Sequence, residues 1–246
     1  MRVHGLLTAV VVTAVLVSGC GDDDTGTGEG STSTTLATTT SVPTSTSGEE
    51  VTPTSAVVGT EQPAIWPAAD VVFATPEQAA EDFVAAVLGA PPRLGEFQQG
   101  DGRSGEIEVL APGETDEGST VARSLLLLRQ LGPDNGWFVL AAVNDKASIT
   151  TPEASAEVTA GPVTVEGVGR GFEALVVVEA FRPGDPGALD QVITQGGSTE
   201  TAEPFKVQVD LSGAEPGAVM MLLVRGGVGL ETDPGDFGAI PVVITR

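Results

Sequence analysis

From Ser148 onward the sequence repeats one device: a short run that alternates apolar with polar residues and stops at glycine or proline. Val163 and Val165 alternate with Thr164 and Glu166, and Phe205, Val207, Val209 and Leu211 alternate with Lys206, Gln208 and Asp210. A period of two places one set of side chains in a core and the other in water. Phe172 to Phe181 reads as one long strand, with Phe172, Ala174, Val176 and Val178 on one face and Glu173, Leu175, Val177 and Glu179 on the other. Val219 to Val224 is apolar throughout, as a strand covered on both faces would be. Ile240, Val242 and Ile244 form the last strand, where Pro241 lacks an N–H and argues for an edge position or an irregular start. Adding Ile149, Val158 and the segment 189–193 makes roughly seven or eight strands in about 100 residues, with no convincing helix, which is the pattern of a β-sandwich. Antibody domains carry a Cys…Trp…Cys core that this region lacks. The pattern therefore supports an immunoglobulin-like architecture over 148–246.

A different pattern occupies 63–145. Thr75 can cap a helix, Pro76 suits its first position, and Gln78 stands where a capping box places its reciprocal partner. Ala79, Ala80, Phe83, Val84, Val87 and Leu88 then form one stripe, with Glu77, Glu81 and Asp82 turned away, until Gly89 and Pro91 end the helix. Ile107 and Val109 alternate with Glu106 and Glu108. Val121 to Leu131 and Trp137 to Val143 flank Gly132-Pro133-Asp134-Asn135-Gly136, a strong hairpin signal. Leu125 to Leu128 and Trp137 to Leu140 are apolar on both faces and call for cover on both, with the helix supplying one side. A small α+β domain is expected, with Trp137 in its packing rather than stacked on a sugar. The chain as a whole is expected to be mainly β, with the immunoglobulin-like sandwich preceded by this α+β domain.

The N-terminal residues limit function more sharply. Arg2 and His4 precede an apolar run, Leu6 to Val17, that is shorter than the roughly 20 residues a membrane-crossing helix needs. Val17-Ser18-Gly19-Cys20 resembles the bacterial lipobox, whose cysteine becomes the first mature residue and carries lipid. The expectation is a lipoprotein signal peptide over 1–19, lipid attachment at Cys20, and a cell-membrane protein displayed on the extracytoplasmic face. An ordinary secretory signal with an incidental cysteine is the alternative. Gly, Ser, Thr, Asp and Glu dominate the following stretch, so 20–60 is expected to be the lipidated cysteine and a disordered tether. About 38 residues of random coil span roughly 35 Å.

Cys20 is the only cysteine, and His4, the only histidine, leaves with the signal. The mature chain then has no thiol or imidazole for a covalent nucleophile, a proton shuttle or the usual zinc sites. With 34 acidic and 11 basic residues the formal charge is −23, a field that repels nucleic acid and anionic lipid headgroups. Membrane association is therefore expected through the anchor alone, with no cofactor and no nucleic-acid partner.

The second region resembles the immunoglobulin-like domain of bacterial spore germination proteins, the Gmad2 family. The residues that carry the resemblance are Ile149-Thr150-Thr151-Pro152, Gly161 to Gly167, Gly171-Phe172-Glu173-Ala174, Pro204-Phe205 and Ile240-Pro241-Val242. It implies a cell-surface module without catalysis, joined to other extracytoplasmic domains. The segment 226–238 departs from the family in being glycine-rich and acidic, so a contact made there by relatives need not carry over. Abundant Ala, Val and Gly with only two lysines suggest a high-GC organism, such as an actinobacterium.

Chemistry would have to come from carboxylates, hydroxyls or arginines. Asp185 with Asp190, or Asp233 with Asp236, are the best local candidates for calcium, though neither segment matches an EF-hand loop. Gly167-Val168-Gly169-Arg170-Gly171 lacks the helix and lysine of a phosphate loop and reads as a turn needing positive φ, with Arg170 exposed. The functional expectation is a non-enzymatic module that binds an envelope protein or a cell-wall glycan. A structural envelope lipoprotein without a discrete ligand, and a carboxylate-dependent hydrolase, remain as alternatives.

Overall fold

A computed structural model describes residues 62–113, 118–198, 200–227 and 229–245. The signal peptide, Cys20 and tether expected over 1–60 lie outside the described residues. The first regular element among the described residues is helix α1, Pro76–Phe83. Thr75 Oγ1 accepts the Gln78 N–H at 3.3 Å, and Gln78 Oε1 accepts the Ala74 N–H at 3.1 Å, so the cap closes in both directions. A single π turn, Val84–Leu88, continues it, and Gly89 stops it at φ 65°, the left-handed conformation that favours glycine. All six residues of the expected stripe are buried.

The strands that follow are β1 (Gln98–Gln99), β2 (Ser104–Pro112), β3 (Thr120–Leu131), β4 (Gly136–Val143), β5 (Ser148–Thr151) and β6 (Glu157–Thr159). Beyond them come β7 (Pro162–Gly169), β8 (Leu175–Phe181), β9 (Asp190–Gln195), β10 (Glu203–Asp210), β11 (Val219–Gly226) and β12 (Asp236–Thr245). The protein is mainly β, in a sandwich-like arrangement of two sheets. One runs β1-β2-β3-β4-β12-β11-β8-β9, with β6 also pairing with β12, and the other is β10-β7-β5. The two sequence regions therefore share a sheet, joined where Ala239 of β12 pairs with Ala142 of β4.

The layers covering the large sheet are offset. On one face α1 and the π turn lie over its middle, burying Phe83, Val84 and Val87 with Ile107, Leu126, Val139, Met221 and Phe237. On the other face the small sheet covers the C-terminal half, with Val165, Phe205 and Val209 meeting Val176, Val178, Leu222 and Val242. A side chain as fully buried as Phe83 or Leu222 gains about 2–3 kcal/mol from leaving water. The offset leaves two stretches thinly covered: the sandwich-side face over β2–β4, where only a small cluster of Ala64, Leu131 and Phe138 is buried, and the helix-side face over β8–β9. Leu125, Leu127 and Leu140 are thus only half-buried. The cover expected on both faces of that hairpin is complete on the helix side and, on the other, confined to the cluster closed by Ala64.

Three further local expectations fail for identifiable reasons. β8 begins at Leu175, because Phe172–Ala174 form a 3-10 turn in which Glu173 and Ala174 take φ of 55° and 59°. That reversal takes Phe172 off the strand's core face and leaves it 54% exposed, while Val176 and Val178 keep the alternation. Pro241 lies inside the sheet, opposite Met221. Its carbonyl accepts the Ser155 N–H on the side away from β11, so the missing N–H falls where β12 changes neighbours from β4 to β6. Gly167 and Gly169 belong to β7, and neither they nor Gly171 has positive φ. They are glycines because other chain comes close: a Cβ on Gly171 would stand 2.2 Å from the Leu175 carbonyl oxygen.

Candidate functional site

β3 carries an irregularity that the rest of the site depends on. Val109 pairs with Ser124 and Leu110 with Ala122, leaving Arg123 without a partner on β2. An extra residue of this kind bends the strand and re-aims its side chain. Arg123 is thereby directed at the segment between β11 and β12. Its Nε and Nη2 donate to the two carboxylate oxygens of Asp233 at 2.9 and 2.6 Å, the paired geometry in which guanidinium and carboxylate match best. Arg123 Nη1 lies 3.7 Å from Asp236 Oδ1, and Arg170 Nε donates to Asp236 Oδ2 at 2.7 Å. Asp233 Oδ1 also accepts the Gly235 N–H at 2.9 Å. Both aspartates are buried, so the two arginines compensate charges removed from water.

These pairings dispose of two expectations. The oxygens of Asp233 and Asp236 are taken by guanidinium groups and are not arranged around a cation. Arg170 is a buried-side partner rather than an exposed turn residue, and its Nη1 also reaches the Glu200 carbonyl at 3.3 Å. Asp185 and Asp190 do not come together either: Asp185 accepts the Gly187 N–H and Asp190 the Asp210 N–H. Among the described residues no group of three His, Cys, Asp or Glu could hold a metal ion. Trp137 is partly buried and meets Phe97 edge-on at 5.4 Å, as a packing residue.

Beside the pinned segment lies a second ion pair. Glu179 of β8 is buried; its Oε1 accepts Gln191 Nε2 at 2.8 Å and Arg225 Nη2 at 3.2 Å. Its Oε2 sits 2.8 Å from Arg225 Nε without the alignment of a hydrogen bond. Arg225, held by Glu179 from behind, lines an open groove of about 490 Å³. Leu88 from the π turn and Val177 from β8 form its sides, and Leu230, Glu231 and Pro234 form the opposite rim.

The groove opens onto the bare helix-side face. Val177 stands opposite Arg225 on one side and Ile193 on the other, so these three side chains cross one face in a row. Ile193 is 63% exposed, Leu175 45% and Leu230 66%. Isolated exposed apolar residues are ordinary, but contiguous ones beside a groove mark interaction surfaces. Sequence reasoning named Asp233, Asp236 and Arg170 but missed Arg123, Glu179 and Arg225. The available signal was a charge inside an otherwise apolar strand, which both Glu179 and Arg225 display.

A family model for the immunoglobulin-like domain of bacterial spore germination matches residues 146–225. The match spans β5 to β10 and most of β11, and ends before the pinned segment and β12. No curated protein matches the chain. No solved structure does either.

Proposed function

We propose that the chain is a non-enzymatic lipoprotein, anchored through Cys20, that presents its immunoglobulin-like module to an envelope protein or cell-wall polymer. The observation that carries this reading is the bare helix-side face over β8 and β9, where Leu175, Val177 and Ile193 run into the Arg225 groove. A monomeric domain with no partner gains nothing by keeping such residues in water. The buried carboxylates of the site are each held by arginine, which gives them a pairing role in place of acid–base work. The matched family describes a domain of the same immunoglobulin-like type.

The test is crosslinking and recovery of the protein from intact cells, comparing wild type with an Ile193→Asp, Leu175→Ser variant. Both substitutions fall on exposed positions, so folding should survive. Loss of crosslinked partners supports the reading, and an unchanged set overturns this face as the contact. Cys20→Ala tests the anchor separately. The expected result is release from the membrane or an unprocessed signal; lipid-labelled retention would sink the assignment.

A further inference from the structure

We infer that the groove lined by Arg225 is a docking site for a cationic polypeptide segment that seats a bulky apolar side chain against Leu88, Val177 and Leu230. This rests on the binding-module reading and names the chemistry of its partner. The groove, at about 490 Å³, is in the range that binds side-chain clusters or small ligands, roughly 300–1,000 Å³. Its sides are aliphatic. An apolar group entering it is removed from water against Leu230, which is otherwise mostly exposed.

Charge selects the partner. The Arg225 guanidinium is matched by Glu179, with contacts at 2.8 and 3.2 Å. Asp233, which also borders the groove, is matched by Arg123. The rim acid left over is Glu231, which is exposed. The local balance is therefore negative, within a chain of net charge −23. That field draws in a cation and repels an anionic polymer or a second copy of the same chain. The partner is thus a segment with apolar residues and lysine or arginine beside them.

The test is titration calorimetry on the full chain carrying Cys20→Ser, using three short blocked peptides. The first alternates lysine with leucine and phenylalanine. The second replaces its lysines by glutamate, and the third replaces its apolar residues by serine. The first is expected to bind with a Kd of about 1–50 μM, and the third at least about tenfold more weakly. The glutamate peptide should give no binding. Leu230→Ser and Glu231→Lys should each weaken the first peptide by about fivefold or more, whereas Glu106→Lys, on exposed β2 at the far end of the sheet, should change it less than about twofold. Equal binding of the glutamate peptide overturns the inference. So does an equal loss with Glu106→Lys, which would show a diffuse field without a site, or the absence of heat at millimolar peptide. If a Leu230→Ser, Glu231→Lys protein still recovers the same cellular partners, the groove assignment fails while the binding-module reading stands.

Discussion

Asp233 shows what a single buried charge does in this molecule. It is held by two guanidinium nitrogens and one backbone N–H, and its removal leaves the largely buried Arg123 with only the longer 3.7 Å contact to Asp236. Asp233→Ala should destabilise the fold by about 3–5 kcal/mol, whereas replacing the pair together, Arg123→Met with Asp233→Leu, should recover most of that loss. Urea unfolding of the two variants checks both statements. Asp210 behaves differently because it is exposed. Its Oδ1 accepts the Ser212 hydroxyl at 2.5 Å and the Ser212 N–H at 2.9 Å, and these bonds hold its carboxyl below the usual carboxylate range. A depressed folded pKa stabilises the fold above the ordinary pKa of the group, and that contribution is lost as pH falls through the folded value. Carbon-detected titration should show Asp210 titrating low, and Ser212→Ala should move it upward. At this scale the residues inside apolar stripes were legible, since Phe83, Val165 and Val209 obey their period. The pairing of Arg123 with Asp233 was not, because a partner 110 positions away is set by topology and leaves no local pattern.

The elements were legible where local chemistry agreed with the final packing. Thr75, Pro76 and Gln78 announce a helix start, and the Gly132 to Gly136 turn announces the β3–β4 hairpin that forms. The elements that misled are those where the backbone does something that an apolar/polar pattern cannot encode. Positive φ at Glu173 and Ala174 breaks an apparently continuous strand, and Pro241 enters an interior strand through a gap between two neighbours. Close approach is a third case. A Cβ on Gly226 would lie 1.6 Å from the Arg170 carbonyl oxygen and 3.1 Å from the Gly171 Cα, so this glycine sets the spacing between the end of β11 and the end of β7. Gly226→Ala should cost about 3 kcal/mol and loosen the pinned segment. Thermal melting reads the first effect, and faster amide exchange at Gly235, whose N–H is tied to Asp233, reads the second.

For the molecule as a whole, a formal charge of −23 opposes compaction, and the buried arginine pairs relieve that opposition only locally. Salt screens exposed charges over a Debye length of about 10 Å at 0.1 M, so moderate sodium chloride should raise the melting temperature. A fall on adding salt would mean that attractive exposed pairs such as Lys206–Glu166, 2.6 Å apart, outweigh the repulsion. The sandwich was legible as a class because its strands announce themselves by period. The sharing of one sheet between two sequence regions was not, because the only signal is the pairing of β12 with β4, far apart in the chain. That placement of β12 governs time as well as space. Phe237 and Ala239 complete the core under α1, and Val242 and Ile244 complete the core of the sandwich. Both cores therefore wait for a strand that leaves the ribosome after β4, β6 and β11, the strands it pairs with. Until then the earlier strands keep their apolar faces unfilled, which makes a late, nearly simultaneous closure of both layers the natural schedule for this chain.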